Sequence, residues 1–576
     1  MSFRLANTRS MRFVSLGLAA LAACVAFTAI RAKARAARPQ EMPRTIYYLH
    51  GRIYTNDPQH PWAEALAVQQ DKIRCIGSVE HVTLECGGNA EHAETIELGG
   101  KFVMPGFNDA HVHLGSAGAD MLAVRLQGAA TVAELQRRLR ESVAQHKPGE
   151  WITGFGWDHT LWPDKKFPNR QQLDEVAPQN PVFLQHVSGH VAVVNSLALK
   201  LAGITKSTSN PTGGEIEHEA NGEPTGMLKE GAAMALVHSK IPPPTQERRR
   251  QGIELALADV AKNGVTSLQD NSAWEDFLVY QDLKRDGKLT ARITEWLPFN
   301  APIERLETMR RDGGTTDPLL HTGALKMVTD GALGSRTAAM LAPYSDDPST
   351  KGILIMEPDK LRELAIERDK HGFQLNFHAI GDRANRVSLD VFEAVAKANG
   401  PRDRRDRIEH AQVVALDDLP RFAKLGVIAS MQPSHQTTDM RWAESRVGPE
   451  RIKGAYAWAT LQKSGARLAF GTDYNVEPIS PFRGLYACVT RQLPDGTPPG
   501  GWQPQEKISL EDCIRAYTSG SAYAEFAEGK KGELKPGEYA DFIVLSHDLT
   551  KVPPAEYVRT QVLRTVVAGR TVHESR

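Results

Sequence analysis

The chain of 576 residues is poor in cysteine: only five occur, and no two stand in a C-x-x-C spacing. That excludes a disulfide-scaffolded module and a thiolate zinc ribbon. Low-complexity tracts and internal repeats are missing as well. With 41% hydrophobic residues there is ample apolar side chain to bury, so disorder is not the main theme. Nor is there a surplus of one charge, since 69 Lys+Arg face 69 Asp+Glu. The balance hides an asymmetry. Residues 1–40 hold seven basic side chains (Arg4, Arg9, Arg12, Arg31, Lys33, Arg35, Arg38) and no acid. The body beyond them is therefore mildly acidic, and nucleic acid is not an expected partner.

Long apolar runs are also scarce. The exception is residues 13–30, an uncharged stretch of 18 flanked by Arg12 and Arg31. It is just long enough to span a bilayer and a little long for a signal-peptide core. Ala34-Arg35-Ala36 has the small-residue spacing of a cleavage site, and Leu21-Ala22-Ala23-Cys24 resembles a lipoprotein box. Residues 25–30 stay apolar where a lipid tether would turn polar. Basic residues lie on both sides of the run, so they do not decide orientation. Residues 1–40 are read as an export signal or membrane anchor. The expectation is an exported, periplasmic or membrane-anchored protein, with a cytoplasmic one as the alternative.

Both ends of the body read as short strands separated by turn residues, at 46–49, 52–54, 65–69 and 72–76, and again at 542–545 and 562–567. Residues 45–103 plus 533–575 are thus expected to form one composite β-sandwich. Residues 104–532 alternate differently. Apolar runs at 102–105, 265–269, 293–299, 324–328, 373–377, 407–409, 427–431 and 468–470 are interleaved with helical stretches, among them 246–263, 358–371, 385–399 and 416–425. Eight nearly all-apolar strands, each followed by a helix, predict an α/β fold with a (β/α)8 TIM-like barrel. The first gap, from about 113 to 264, is far too long for one crossover. It predicts an insertion at about 120–245 after strand 1, at the end where barrel enzymes build their sites.

The sharpest chemical feature is His111-Val112-His113, which follows the first expected strand and its Pro105-Gly106 turn. Residues two apart in a strand project to the same side, so both imidazoles can grip one metal ion. The surrounding stretch, 104–114, resembles the amidohydrolase superfamily, and within it amidohydrolase family 3, the branch that includes N-substituted formamide deformylase-like proteins. Further matches lie at 323–331, 377–382, 407–412 and 470–473, and the resemblance covers roughly residues 45–575.

The resemblance implies metal ligands at the ends of strands one, four, five, six and eight: His111 and His113, Lys326, His378, His410 and Asp473. It implies one or two Zn²⁺ per chain, or another divalent metal, acting on a small-molecule substrate. Imidazole and carboxylate suit zinc, whereas an ammonium repels it. Burial lowers a lysine pKa, and the free amine can add carbon dioxide to give an anionic bridge, so Lys326 is the candidate carboxylated lysine. The alternative is a neutral or ion-paired lysine beside a single metal. For His378 and His410 the alternative is a satisfied core histidine. Asp473, Lys326 and His410 are the expected catalytic residues, with Asp473 passing a proton from the attacking water to the leaving nitrogen.

Asp330 and Arg336 are candidates for holding substrate or for a loop salt bridge. His435 is a candidate for orienting substrate or capping a loop, and His190 and Trp157 for lining a lid or packing a core. The implied reaction is hydrolysis of an amide-type C–N bond, outside peptides, by attack of a metal-bound hydroxide. Two alternatives stay open: hydrolysis of esters, carbamates or other carbonyl compounds by the same site, and a membrane-tethered, non-catalytic binding or regulatory protein. A homo-oligomer is left open too.

Overall fold

The computed structural model describes residues 45–86 and 93–575. The leader expected in 1–40 lies outside the described residues, and no described helix is long and apolar enough to cross a membrane.

Eight parallel strands follow one another in chain order: β1 (Phe107–Val112), β2 (Val265–Asp270), β3 (Arg292–Pro298), β4 (Leu320–Val328), β5 (Leu375–Ala379), β6 (Arg407–His410), β7 (Ile428–Met431) and β8 (Leu468–Phe470). Their alternation sets two faces. On β5, Leu375 and Phe377 join the apolar cluster packed under the helices. Asn376 and His378, between and after them, face the barrel axis. The axis is filled by polar residues where most barrels stack branched aliphatics: Gln269, Thr294, Asn376, Arg407, Glu409 and Ser430 are all buried.

The ring closes through side chains as well as backbone. Asp473 N donates to His111 O at 2.8 Å, while the Asp109 carboxylate accepts from Thr472 N at 2.9 Å and Thr472 Oγ1 at 2.6 Å. Among the helices, Gln246–Lys262 starts at Thr245, whose hydroxyl caps Arg248 N, and Pro358–Lys370 starts on a proline already set for a first turn.

One expected strand belongs elsewhere. Phe102–Pro105 is not the first barrel strand: it lies between Arg52–Tyr54 and Phe542–Leu545 in a six-stranded sheet of the β-domain. The cause is Gly106. A Cβ there would come within 2.2 Å of Thr266 Cγ2, so the chain can turn tightly against β2 and begin a new strand in a different sheet. The metal-ligand segment is itself the first barrel strand. The six-stranded sheet faces a four-stranded one built from Thr45–Leu49, Ala65–Gln69, Lys72–Gly77 and Ala93–Glu97. Tyr48, Leu66, Val103, Phe542 and Val566 pack between them. Four of the five cysteines pair, as Cys75–Cys86 and Cys488–Cys513, with Cα separations of 6.1 and 6.5 Å.

The insertion after β1 carries its own six-stranded sheet and its own core around Trp157, Trp162, Leu184 and Val193. Three of its strands are parallel, Val124–Arg125, Ile152–Trp157 and Val182–His186, and three are antiparallel. Glu215–His218 is one arm of a hairpin with Pro224–Lys229. The two ends of the insertion are pinned where helix Leu114–Leu122 crosses helix Gln246–Lys262. A Cβ on Gly118 would lie 2.5 Å from Gly252 C, so only glycine lets the backbones meet.

Candidate metal centre

The carboxyl ends of β1, β4, β5, β6 and β8 bring six side chains together. Asp473, just past β8, is the hub. Its Oδ1 lies 3.1 Å from His113 Nε2 and 3.7 Å from His111 Nε2, and its Oδ2 lies 3.5 Å from His435 Nε2. Lys326 Nζ is 3.1 Å from His111 Nε2. The His410 ring is 4.6 Å from that of His378 and 5.1 Å from that of His111, centre to centre. His410 and Asp473 hold φ values of 73° and 60°. Left-handed backbone at two non-glycine strand ends is strain of the kind that collects at functional sites.

Each of the four strand-end histidines has one ring nitrogen against an oxygen, and in His111 and His113 the other nitrogen faces Asp473. His113 Nδ1 donates to Asn271 O at 3.1 Å, His378 Nε2 to Gly331 O at 3.2 Å, and His410 Nδ1 to Gln432 Oε1 at 2.7 Å. His111 Nδ1 sits 2.8 Å from Glu409 Oε2, although not in good hydrogen-bonding alignment. Oxygen acceptors behind the rings are how metal-ligating histidines are oriented. Glu409 is held in turn by Arg407 Nε at 2.9 Å and Ser430 Oγ at 2.8 Å, and Arg407 also donates to Ala110 O.

Electrostatics point the same way. Burial, reinforced by Lys326, lowers His378 to about 4 and pushes His111 well down. Burial, with His378 next, does the same to His410. All three are neutral at pH 7. Burial opposes ionisation of Asp473, yet the close His113, His410 and His435 imidazoles outweigh it and hold the carboxylate below its usual range. Burial pulls Lys326 down to about 8, against the opposing pull of Glu409 and Asp473. Asp473 Oδ1 and His435 Nε2 are buried with no hydrogen-bond partner. Neutral imidazoles, an ionised carboxylate and orphaned polar atoms fit a divalent cation, which would satisfy them together.

The remaining candidates divide. His435 joins the centre: with His410 and Asp473 it forms a second three-ligand group beside His111, His113 and Asp473. Asp330 is fully buried and accepts from Ala339 N, Ile380 N and Gly381 N at 2.8–3.0 Å, with His378 Nε2 at 3.5 Å. It is tied into the loop beside His378. Arg336 makes a two-point ion pair with Asp346, the loop salt bridge. Trp157 is fully buried in the insertion core, its Nε1 donating to Leu184 O. His190 is exposed and pairs with Glu230 at 3.0 Å. The structure brings neither to the centre.

Sequence reasoning missed Glu409, Arg407, Trp296 and Gln432 as parts of the site. The signal was there for one pair: alternation along β6 puts Arg407 and Glu409 on the axis side, next to His410. Trp296 lies below, its ring 5.0 Å from the His111 ring and from Lys326 Nζ. Trp296 and Arg407 also line a cavity of about 340 Å³ toward the amino ends of the strands. Among its charged lining residues, Arg292 pairs with Asp541 and Lys531 with Glu525.

An eight-stranded parallel barrel with histidines, a lysine and an aspartate converging on its carboxyl end defines a metal-dependent hydrolase. The chain belongs to the amidohydrolase family, whose profile matches residues 94–573. It is 36% identical over 547 residues to Protein LONG AFTER FAR-RED 3 of Arabidopsis thaliana, covering 93% of this chain and 92% of that one. It is 28% identical to the N-substituted formamide deformylase of Arthrobacter pascens, covering 91% and 98%. An uncharacterized metal-dependent hydrolase from Pyrococcus horikoshii shares the fold with a TM-score of 0.73 at 31% identity, covering 88% and 99%.

Proposed function

We propose that this chain hydrolyses an amide-type carbon–nitrogen bond outside peptides, with zinc held by His111, His113, Lys326, His378, His410 and Asp473. The observation that carries the reading is the orientation of the histidines: each keeps one nitrogen against an oxygen, and His111 and His113 turn the other toward Asp473. A bound metal would activate water and polarise the substrate carbonyl. The protein's own groups do the rest. Asp473, held below the usual carboxylate range and so ionised at pH 7, takes the proton from the attacking water and returns it to the departing nitrogen, the step an amine leaving group needs. Lys326, near half deprotonated at pH 8, adds carbon dioxide: the N–C bond forms, one proton leaves, and an anionic carbamate remains between the ligand groups. His435 sits over Asp473 and orients substrate.

The name of the Arthrobacter relative supports the amide class. The paired cysteines suit an oxidising compartment, which supports export by way of residues 1–40. The test is a panel of N-substituted formamides, N-acyl amino acids, cyclic imides and esters, offered to zinc-loaded and chelator-stripped protein. Turnover of amides that disappears on stripping and returns with zinc is expected. Cleavage of esters alone would reject the amide reading. Protein that takes up no zinc and turns over nothing on the panel would favour a binding role.

A further inference from the structure

A second group of metal-type ligands lies in the insertion, and the proposed reaction makes no use of it. Strand Ile152–Trp157 ends at Asp158 and His159, and its parallel neighbour Val182–His186 ends at His186. Carboxyl ends of adjacent parallel strands are where open α/β sheets bind ligands. His159 Nδ1 stands 3.4 Å from His186 Nε2, and Asp158 Oδ1 stands 3.8 Å from the same Nε2. The first distance is long for a hydrogen bond between two rings. It matches another geometry: ligands held about 2.1 Å from a tetrahedral zinc stand about 3.4 Å apart.

The surroundings hold these groups in place. The Trp157 ring lies 4.5 Å from the His186 ring, and the Phe167 ring 4.2 Å from the His159 ring. Asp158 Oδ1 accepts from Thr160 N at 2.9 Å and from Thr160 Oγ1 at 2.7 Å, capping the short turn His159–Leu161. His186 Nδ1 lies 2.9 Å from Ser188 Oγ, an acceptor behind the ring.

We infer that Asp158, His159 and His186 form a zinc site separate from the barrel centre, with water completing the shell, that clamps the ends of two insertion strands. The competing arrangement is a plain histidine pair, in which His186 Nδ1 accepts from Ser188 N at 3.1 Å and its Nε2 carries the proton. In the zinc form Nδ1 carries the proton and donates to Ser188 Oγ instead.

The test uses the full chain in two backgrounds, unsubstituted and Asp473→Ala, the latter to weaken the barrel centre. Each is titrated with zinc, and bound metal per chain is counted after gel filtration. His186→Ala should lose one zinc equivalent in both backgrounds, together with the rise in melting temperature that this zinc gives. Asp158→Asn guards against misfolding, because asparagine caps the turn as well as aspartate does. It should weaken that zinc at least tenfold while leaving the metal-free melting temperature unchanged. Cobalt in the Asp473→Ala background should give the visible bands of a tetrahedral ion, and His186→Ala should abolish them. Zinc content, affinity and cobalt bands that are the same in parent, His186→Ala and Asp158→Asn would overturn the proposal.

Discussion

Histidine and aspartate gather at the carboxyl ends of parallel strands in two places, and the two gatherings are backed very differently. At the barrel mouth every strand-end histidine rests against an oxygen, and the Glu409 behind His111 is itself fixed by Arg407 and Ser430. In the insertion only His186 has such an acceptor, and the cluster is half-exposed. Ligand identity is thus nearly shared, while the depth of the supporting network is not. A network several residues deep fixes geometry to the tolerance a reaction needs. A single supporting contact is enough for a clamp.

The comparison breaks first at the two aspartates. Asp473→Asn should lower kcat/KM by roughly 10³-fold, in the range of general acid–base catalysis, and Asp158→Asn should leave it unchanged. Steady-state kinetics on the proposed amide substrate decide this, and equal losses would erase the distinction. Next comes the supporting network. Glu409→Gln strands Arg407 in the barrel axis and should cost about 3 kcal/mol of stability in urea unfolding, as for breaking a buried pair. It should also weaken zinc at the barrel by roughly 10- to 100-fold. Ser188→Ala, the corresponding change in the insertion, should do far less to either.

A smaller effect is set by pH. Lys326 titrates at about 8, so its reactive free amine is about half the population at pH 8 and only about 3% at pH 6.5. Reactivation of stripped protein by zinc plus bicarbonate should therefore be faster at pH 8.5 than at pH 6.5. Lys326→Arg, which stays protonated, should not reactivate at either. Equal reactivation rates at both pH values would reject the carbamate. The smallest effect belongs to Arg336→Ala. It removes a partly exposed loop ion pair and should leave KM and melting temperature nearly unchanged, whereas a large rise in KM would make Arg336 a substrate contact after all.

Much of the barrel could be read directly because its outer face is simple: Leu375 and Phe377, or Leu325 and Met327, announce strands whose alternate residues must face the axis. The residues that converge were visible for a related reason. His111, His378, His410 and Asp473 stand at strand ends, where position in the run fixes position in space. The axis itself was opaque. Arg407 meets Gln269, Ala110 and Ser430 across the barrel, contacts that no local pattern encodes. Phe102–Pro105 was misplaced because four apolar residues before a Pro-Gly turn look alike in either sheet, and only the contact of Gly106 with Thr266 decides. Trp157 was ambiguous for a similar reason: an indole that fills a core and one that lines a pocket are spelled alike.

The shared β-domain bears on the order in which the chain becomes a protein. Phe102–Pro105 is flanked on one side by Phe542–Leu545, a strand that leaves the ribosome roughly 440 residues later. At about 5–20 residues per second that is a wait of about 20–90 s. During it the barrel can assemble, but the sheet at its foot keeps an open edge, exposed to pairing with another chain. The last strands to be made thus act as a latch on the first. Shortening the chain by its final 35 residues should leave a barrel that forms and then aggregates through that edge.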